Sequence, residues 1–301
     1  MYNNLFTSFR SFKGENMRKY QKYYENEELD LTKSEYHAKR ILQRCHKHDQ
    51  DAGGVFSLVT GSQGSGKTSV LLSFMNYAMQ HQPNEKIFFS NCYNAPLQFP
   101  KVGKDRFHIM VKKDSNVTFH DRNQRLKQIY PKVTYFKDFQ DCYDKAKPGI
   151  CNAVFFGNRM KWMEFINHLR GVGEWVHVFI DELSEIAPQF QAGKTFHRIG
   201  NFANDLKEVR KCMINVHTNT QSVADIDHRI RSKVMIRIYL PGARTENVSR
   251  ITQKAIDNLI ENTETGNQAY LEYSGKFGQT FFQDIYKPVK GIHWEAHSGE
   301  K

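Results

Sequence analysis

The chain has 301 residues with 43 lysines and arginines against 32 aspartates and glutamates, a formal charge of +11, enough length for one large core with decorations and enough positive charge to suit a polyanion such as DNA. Its five cysteines, Cys45, Cys92, Cys142, Cys151 and Cys212, contain no C-x-x-C pair, which argues against a disulfide framework and a zinc ribbon; Cys45-His46-Lys47-His48 has no second ligand pair at finger spacing. No apolar run is long enough to span a bilayer and the N-terminus carries no signal-peptide core, so a cytoplasmic protein without direct membrane insertion is expected.

Residues 1 to 50 are charged and tyrosine-rich, with helical character from Ser34 to His48, and read as an N-terminal extension. The core is expected over residues 51 to 285. It opens with the apolar run Val55 to Thr60, followed by Gly61-Ser62-Gln63-Gly64-Ser65-Gly66-Lys67-Thr68 and then Ser69 to Met79. Strand, glycine-rich loop and helix in that order form a phosphate-binding loop: the glycines let backbone N–H groups converge on phosphate oxygens, and the helix N-terminus adds partial positive charge. Residues 61 to 69 are the expected ATP contacts. Lys67 reaches the β and γ phosphates, and the Thr68 hydroxyl is offered to Mg²⁺.

Further along, Lys86 to Ser90, Ile150 to Phe156, Val176 to Ile180, Ile214 to Thr218 and Val234 to Leu240 are short runs rich in Val, Ile and Phe, separated in places by helix-length segments such as Asn158 to Arg170 and Phe196 to Arg210. This alternation predicts an α/β fold with a mostly parallel central sheet flanked by helices. Residues 101 to 137 interrupt it with ten Lys or Arg against three Asp, interleaved with Phe107, Phe119, Tyr130, Tyr135 and Phe136. This basic insertion is the candidate DNA-contacting region, through Lys112, Lys113, Arg122 and Arg125. A solvated β-rich excursion with its own small core is the alternative. Residues 286 to 301 read as a C-terminal tail.

The strand Val176 to Ile180 ends in Asp181-Glu182. Asp181 is the expected Mg²⁺ partner and Glu182 the residue that orients and polarises an attacking water. The presence of the second acid favours hydrolysis over phosphate transfer to a small molecule. A later strand leads to Gln221, which should face the γ-phosphate beside Glu182, because the carboxyl ends of parallel strands converge on one crevice.

The Asp181-Glu182 pair, the helix ending in Arg210-Lys211 and the strand closing on Thr220-Gln221 together resemble the HerA–FtsK superfamily of DNA-pumping ATPases, over about Val55 to Leu240. Arg210 stands eleven residues before Gln221, the interval that this family shows between an arginine and its sensor glutamine. The resemblance implies a RecA-like P-loop core and a homo-oligomeric ring, a hexamer. It further implies that Arg210, at the end of an amphipathic helix (Phe196, Ile199, Ala203, Leu206, Val209), acts as an arginine finger on the neighbouring copy, with Arg229, Arg231 and Arg244 as rivals for that role. Two departures stand out: Ser90-Asn91-Cys92 where the family commonly has an acid, and no winged-helix module after the core.

The expected function is Mg-ATP-driven translocation of double-stranded DNA, as the genome-packaging motor of a virus or mobile element, working in the host cytoplasm or with the virion against a capsid or portal protein. The alternatives are a HerA-type helicase or translocase paired with a nuclease in repair, and an ATP-switched assembly scaffold with little turnover.

Overall fold

A computed structural model describes residues 53–90, 95–96, 107–121, 133–190, 192–209, 211–245, 252–259, 261–262, 266–273, 276–282 and 292–299. The N-terminal extension, Cys45 to His48, Arg122, Arg125 and Arg210 therefore lie outside the described residues.

In chain order the first elements are β1 (Phe56–Thr60), α1 (Lys67–His81), β2 (Lys86–Phe89), β3 (Ala95–Pro96), β4 (Phe107–Lys112), β5 (Ser115–Asp121) and β6 (Val133–Phe136). They continue with α2 (Phe139–Lys145), β7 (Cys151–Phe155), α3 (Lys161–Leu169), β8 (Val176–Ile180), a 3-10 turn at Leu183–Glu185, α4 (Gly193–Glu208) and β9 (Ile214–Thr220). A second 3-10 turn at Val223–Asp225 leads to α5 (His228–Arg231), β10 (Ile236–Tyr239), α6 (Gln253–Asp257), β11 (Glu261–Asn262), β12 (Gly266–Tyr273), β13 (Lys276–Phe282) and β14 (Ile292–Ser298).

The main sheet runs β11-β12-β10-β1-β9-β8-β2-β7-β4-β6, with β13 pairing β12. Every pairing from β10 through β6 is parallel; β12 joins β10 antiparallel. The expected α/β architecture, a mostly parallel central sheet flanked by helices, is what the chain adopts. Its central strands are buried along their whole length, β1, β7, β8 and β9 without exception. That is why they read as near-continuous apolar runs, since helices cover both faces. The side chains alternate between two cores: Val176, Val178 and Ile180 of β8 join α3 and α4 (Phe165, Ile199, Phe202), and Phe179 joins α1 (Leu71, Phe74, Met75) on the other face.

Three expectations change. The basic insertion is not an excursion: β4 and β6 within it extend the parallel sheet, because Ile109, Met110 and Val111 are apolar and buried despite their charged surroundings. The stretch read as a C-terminal tail contributes β14, which pairs β3 and β5 and buries Trp294 against Ile109, Val111 and Phe155. On α4, Phe196 faces outward at 45% exposure and Phe202 takes the inward place with Ile199, Ala203 and Leu206.

Candidate nucleotide site

The phosphate loop leaves the carboxyl end of β1. Gly61 is buried so tightly that a Cβ there would stand 2.3 Å from Ser65 Oγ and 2.9 Å from Leu240 Cβ, so only glycine fits. Gly66 caps α1 in the left-handed region (φ 90°), turning the chain so that α1 begins at Lys67 with its N-terminus toward the loop. The carbonyl of Pro241, just beyond β10, accepts from Ser62 N at 3.2 Å and Ser62 Oγ at 3.3 Å and braces the loop from the neighbouring strand. Lys67 Nζ donates to the carbonyls of Gly61 at 3.0 Å and Ser62 at 2.7 Å, which holds the ammonium over the loop mouth. Burial pushes the Lys67 ammonium below the usual lysine range, opposed by the charges of Glu182 and Asp181 nearby.

β8 delivers the two acids to the same place. Thr68 Oγ1 donates to Asp181 Oδ1 at 3.2 Å, so the expected pair of Mg²⁺ ligands is already in contact. Asp181 also accepts from Asn219 Nδ2 at 2.6 Å, and its N–H donates to Ser90 Oγ at 2.9 Å. Desolvation raises the Asp181 carboxyl above the ordinary carboxylate range, with a further push from Glu182. A desolvated carboxylate beside a hydroxyl on a strand end is a donor set that fits a hard divalent cation such as Mg²⁺. No cluster of three or more His, Cys, Asp or Glu suited to a metal occurs among the described residues.

Glu182 sits just past β8 in the left-handed region (φ 58°), uncommon for a residue with a side chain, and its surroundings hold it there. Its N–H donates to Asn219 Oδ1 at 2.7 Å, and its Oε1 accepts from Thr220 Oγ1 at 2.7 Å and Ser184 Oγ at 2.5 Å. Asn219 thus ties the two acids together with one amide, and Thr220 and Ser184 clamp the carboxylate.

The structure brings Lys67, Thr68, Asp181 and Glu182 to one end of the parallel strands. Gln221 follows β9 directly and is exposed, whereas the preceding Asn219 and Thr220 touch the acids. The sequence points to Gln221 because it is the last polar residue of the run. The signal for the other two is that β9 ends Thr218-Asn219-Thr220, three polar residues inside a fully buried strand, and buried polar groups require partners. Among the rival fingers, Arg229 is engaged elsewhere: Nε and Nη2 bind Asp227 at 2.9 and 2.8 Å, and its guanidinium lies 4.0 Å from the Phe196 ring. Lys112 and Lys113 are exposed, on and after β4, three strands from β8 in the sheet order.

Sequence reading also misses a cavity of about 140 Å³ beside the acids, lined by Ser90, Arg159, Trp162, Asp181, Glu182 and Glu185. Arg159 pairs with Glu185 across it. None of the described helices is long and apolar enough to cross a membrane.

No family model and no curated protein matches the sequence. Among solved structures, the chain is similar to the genome-packaging NTPase B204 of Sulfolobus turreted icosahedral virus 2 in complex with ATP-gammaS, at 14% identity over 78% of this chain and 98% of that one (TM-score 0.48). It is also similar to the N-terminal domain of zonular occludens toxin from Neisseria meningitidis (16%, 79% and 96%, TM-score 0.39). A third is the pCW3 conjugation coupling protein TcpA with ATPgS (12%, 76% and 60%, TM-score 0.41).

Proposed function

We propose that this chain is a Mg-ATP-hydrolysing translocase of double-stranded DNA that works as a homo-oligomeric ring, a hexamer, packaging the genome of a virus or mobile element. The observation that carries the reading is the convergence of the Lys67 ammonium, the Thr68–Asp181 contact and the clamped Glu182 at the carboxyl ends of three parallel strands. Residues 61 to 69 cradle the triphosphate, and Lys67 moves from the loop carbonyls to phosphate oxygens. Thr68 and Asp181 hold Mg²⁺, which when bound neutralises charge on the β and γ phosphates. Glu182 orients a water and accepts its proton, and Gln221, joined to Thr220, registers the γ-phosphate. Arg210 acts on the adjacent copy.

The basic excess supplies the DNA-facing charge, with Lys112, Lys113, Arg122 and Arg125 as contacts, and a capsid or portal protein is the docking partner in the host cytoplasm. The test is ATP turnover with and without duplex DNA. Hydrolysis should be stimulated by DNA and lost in Lys67→Ala and Glu182→Gln; a turnover rate indifferent to DNA would end the translocase reading.

A further inference from the structure

We infer that Arg159 is a phosphate-contacting arginine that each copy supplies to its own nucleotide, in addition to any arginine lent by a neighbour. The inference rests on the ATPase reading above and deepens it.

Among the described residues, Arg159 is the arginine that lines the cavity shared by Asp181 and Glu182. That cavity also holds Glu185, so three carboxylates face a place where a triphosphate has to arrive, and a cation is needed to offset their repulsion. Arg159 stands on the turn between β7 and α3, two strands from β8 across β2, a gap of about 10 Å that an extended arginine bridges over the carboxyl end of β2.

The base of this side chain is fixed. Gly157 turns in the left-handed region (φ 84°), and its carbonyl accepts from Ser298 Oγ at 3.0 Å. Asn158 Oδ1 accepts from Met160 N at 2.8 Å, and the Arg159 carbonyl accepts from Trp162 N at 3.1 Å. Trp162 below it is buried against Phe156 and Phe165, with ring centroids 5.0 and 5.8 Å away.

The head of the side chain pairs with Glu185, and both side chains are about a third or more exposed (32% and 43%). An ion pair in that setting is weak. A phosphate presents the fork of the guanidinium with two oxygens in a drier site and competes for it with advantage. The arrangement is therefore a rigid mount with an exchangeable partner.

Full-length copies joined in tandem provide the test, with ATP turnover and ATPγS binding as readouts. Arg159→Ala in both copies should lower kcat about 10²–10³-fold and leave ATPγS affinity within a few-fold. Arg159→Lys should restore part of the rate, and Glu185→Gln should lower kcat far less than Arg159→Ala does. A merely structural ion pair would instead be damaged equally by Arg159→Ala and Glu185→Gln. With Arg159→Ala and Lys67→Ala placed in the same copy, the other copy keeps a complete site and hydrolysis persists; with the two substitutions in separate copies it stops. The reverse pattern would show the arginine serving the neighbour and overturn the assignment, as would an unchanged rate in Arg159→Ala. A wild-type tandem that hydrolyses no ATP sinks the ATPase reading itself, a result distinct from either.

Discussion

The role proposed for Glu182 requires its carboxylate to be aimed, and the aiming is done by two hydroxyls and one amide rather than by its own backbone, which is held in an unfavourable region. Thr220→Val removes one hydroxyl and keeps the shape of the side chain. We expect kcat to fall about 10- to 100-fold, as misplacement of a reacting group does, with ATPγS affinity unchanged and the rate restored in Thr220→Ser. A second residue shows the trade between site and fold. Because desolvation raises the Asp181 carboxyl above its unfolded value, the folded chain holds that proton more tightly than the unfolded chain does. Its contribution to stability is therefore full below the unfolded carboxylate pKa and is lost as pH rises through the folded one. Asp181→Asn keeps an oxygen to accept from Thr68 and Asn219 but has no charge to desolvate. Without nucleotide and Mg²⁺, the variant should melt at a higher temperature than the parent at neutral pH, with the difference closing toward pH 3, while Mg-dependent hydrolysis disappears. Equal melting temperatures at pH 7 would contradict this account of the carboxylate.

The secondary elements that are legible in the sequence are those whose chemistry is local. The phosphate loop is spelled out by consecutive residues, and β8 matches its apolar run residue for residue, since a doubly covered parallel strand needs continuous hydrophobicity. What escapes depends on partners distant in sequence. β4 lies in a charge-rich stretch and is recognisable as a central-sheet strand only once β7 is known to pair with it; β14 pairs β5 across more than 170 positions, from Ser298 to Ser115. Asn219 and Thr220 touch the acids because β9 ends beside β8, and Arg159 lines their cavity because β7 ends two strands from β8, across β2, a fact of strand order that no spacing in the sequence records. The structural role of β14 is itself testable. Trp294 is fully buried between β14 and the β4–β7 face, so Trp294→Ala should cost about 3–5 kcal/mol in denaturant unfolding, the usual range for truncating a buried aromatic. A loss below about 1 kcal/mol would return residues 292–298 to the status of a dispensable tail.

At the scale of the whole molecule, the proposed ring leaves charge and neighbouring copies to complete what one chain holds. If Lys112 and Lys113 track a duplex backbone, replacing both with Gln should lower the slope of log affinity against log salt by about 0.9 for each phosphate no longer neutralised, uniformly across DNA sequences. An unchanged slope would show that neither lysine meets the backbone. The arginine proposed to come from a neighbour poses the sharper problem. Val209 and Lys211, which flank Arg210, stand before β9, whose seven residues run about 20 Å to Thr220 at the opposite end of the sheet. If Arg210 is the finger that the resemblance implies, that separation between its flanking residues and the acids predicts that it serves another copy. Arg210→Ala should therefore bind ATPγS with unchanged affinity and hydrolyse nothing alone. In tandem-linked copies, activity should persist when Arg210→Ala and Lys67→Ala occupy different copies, because the copy with an intact Lys67 then receives its arginine from the other. Placing both substitutions in one copy should abolish it, the opposite of the pattern expected for Arg159. Identical patterns for the two arginines would mean that distance along β9 does not govern which site each one serves.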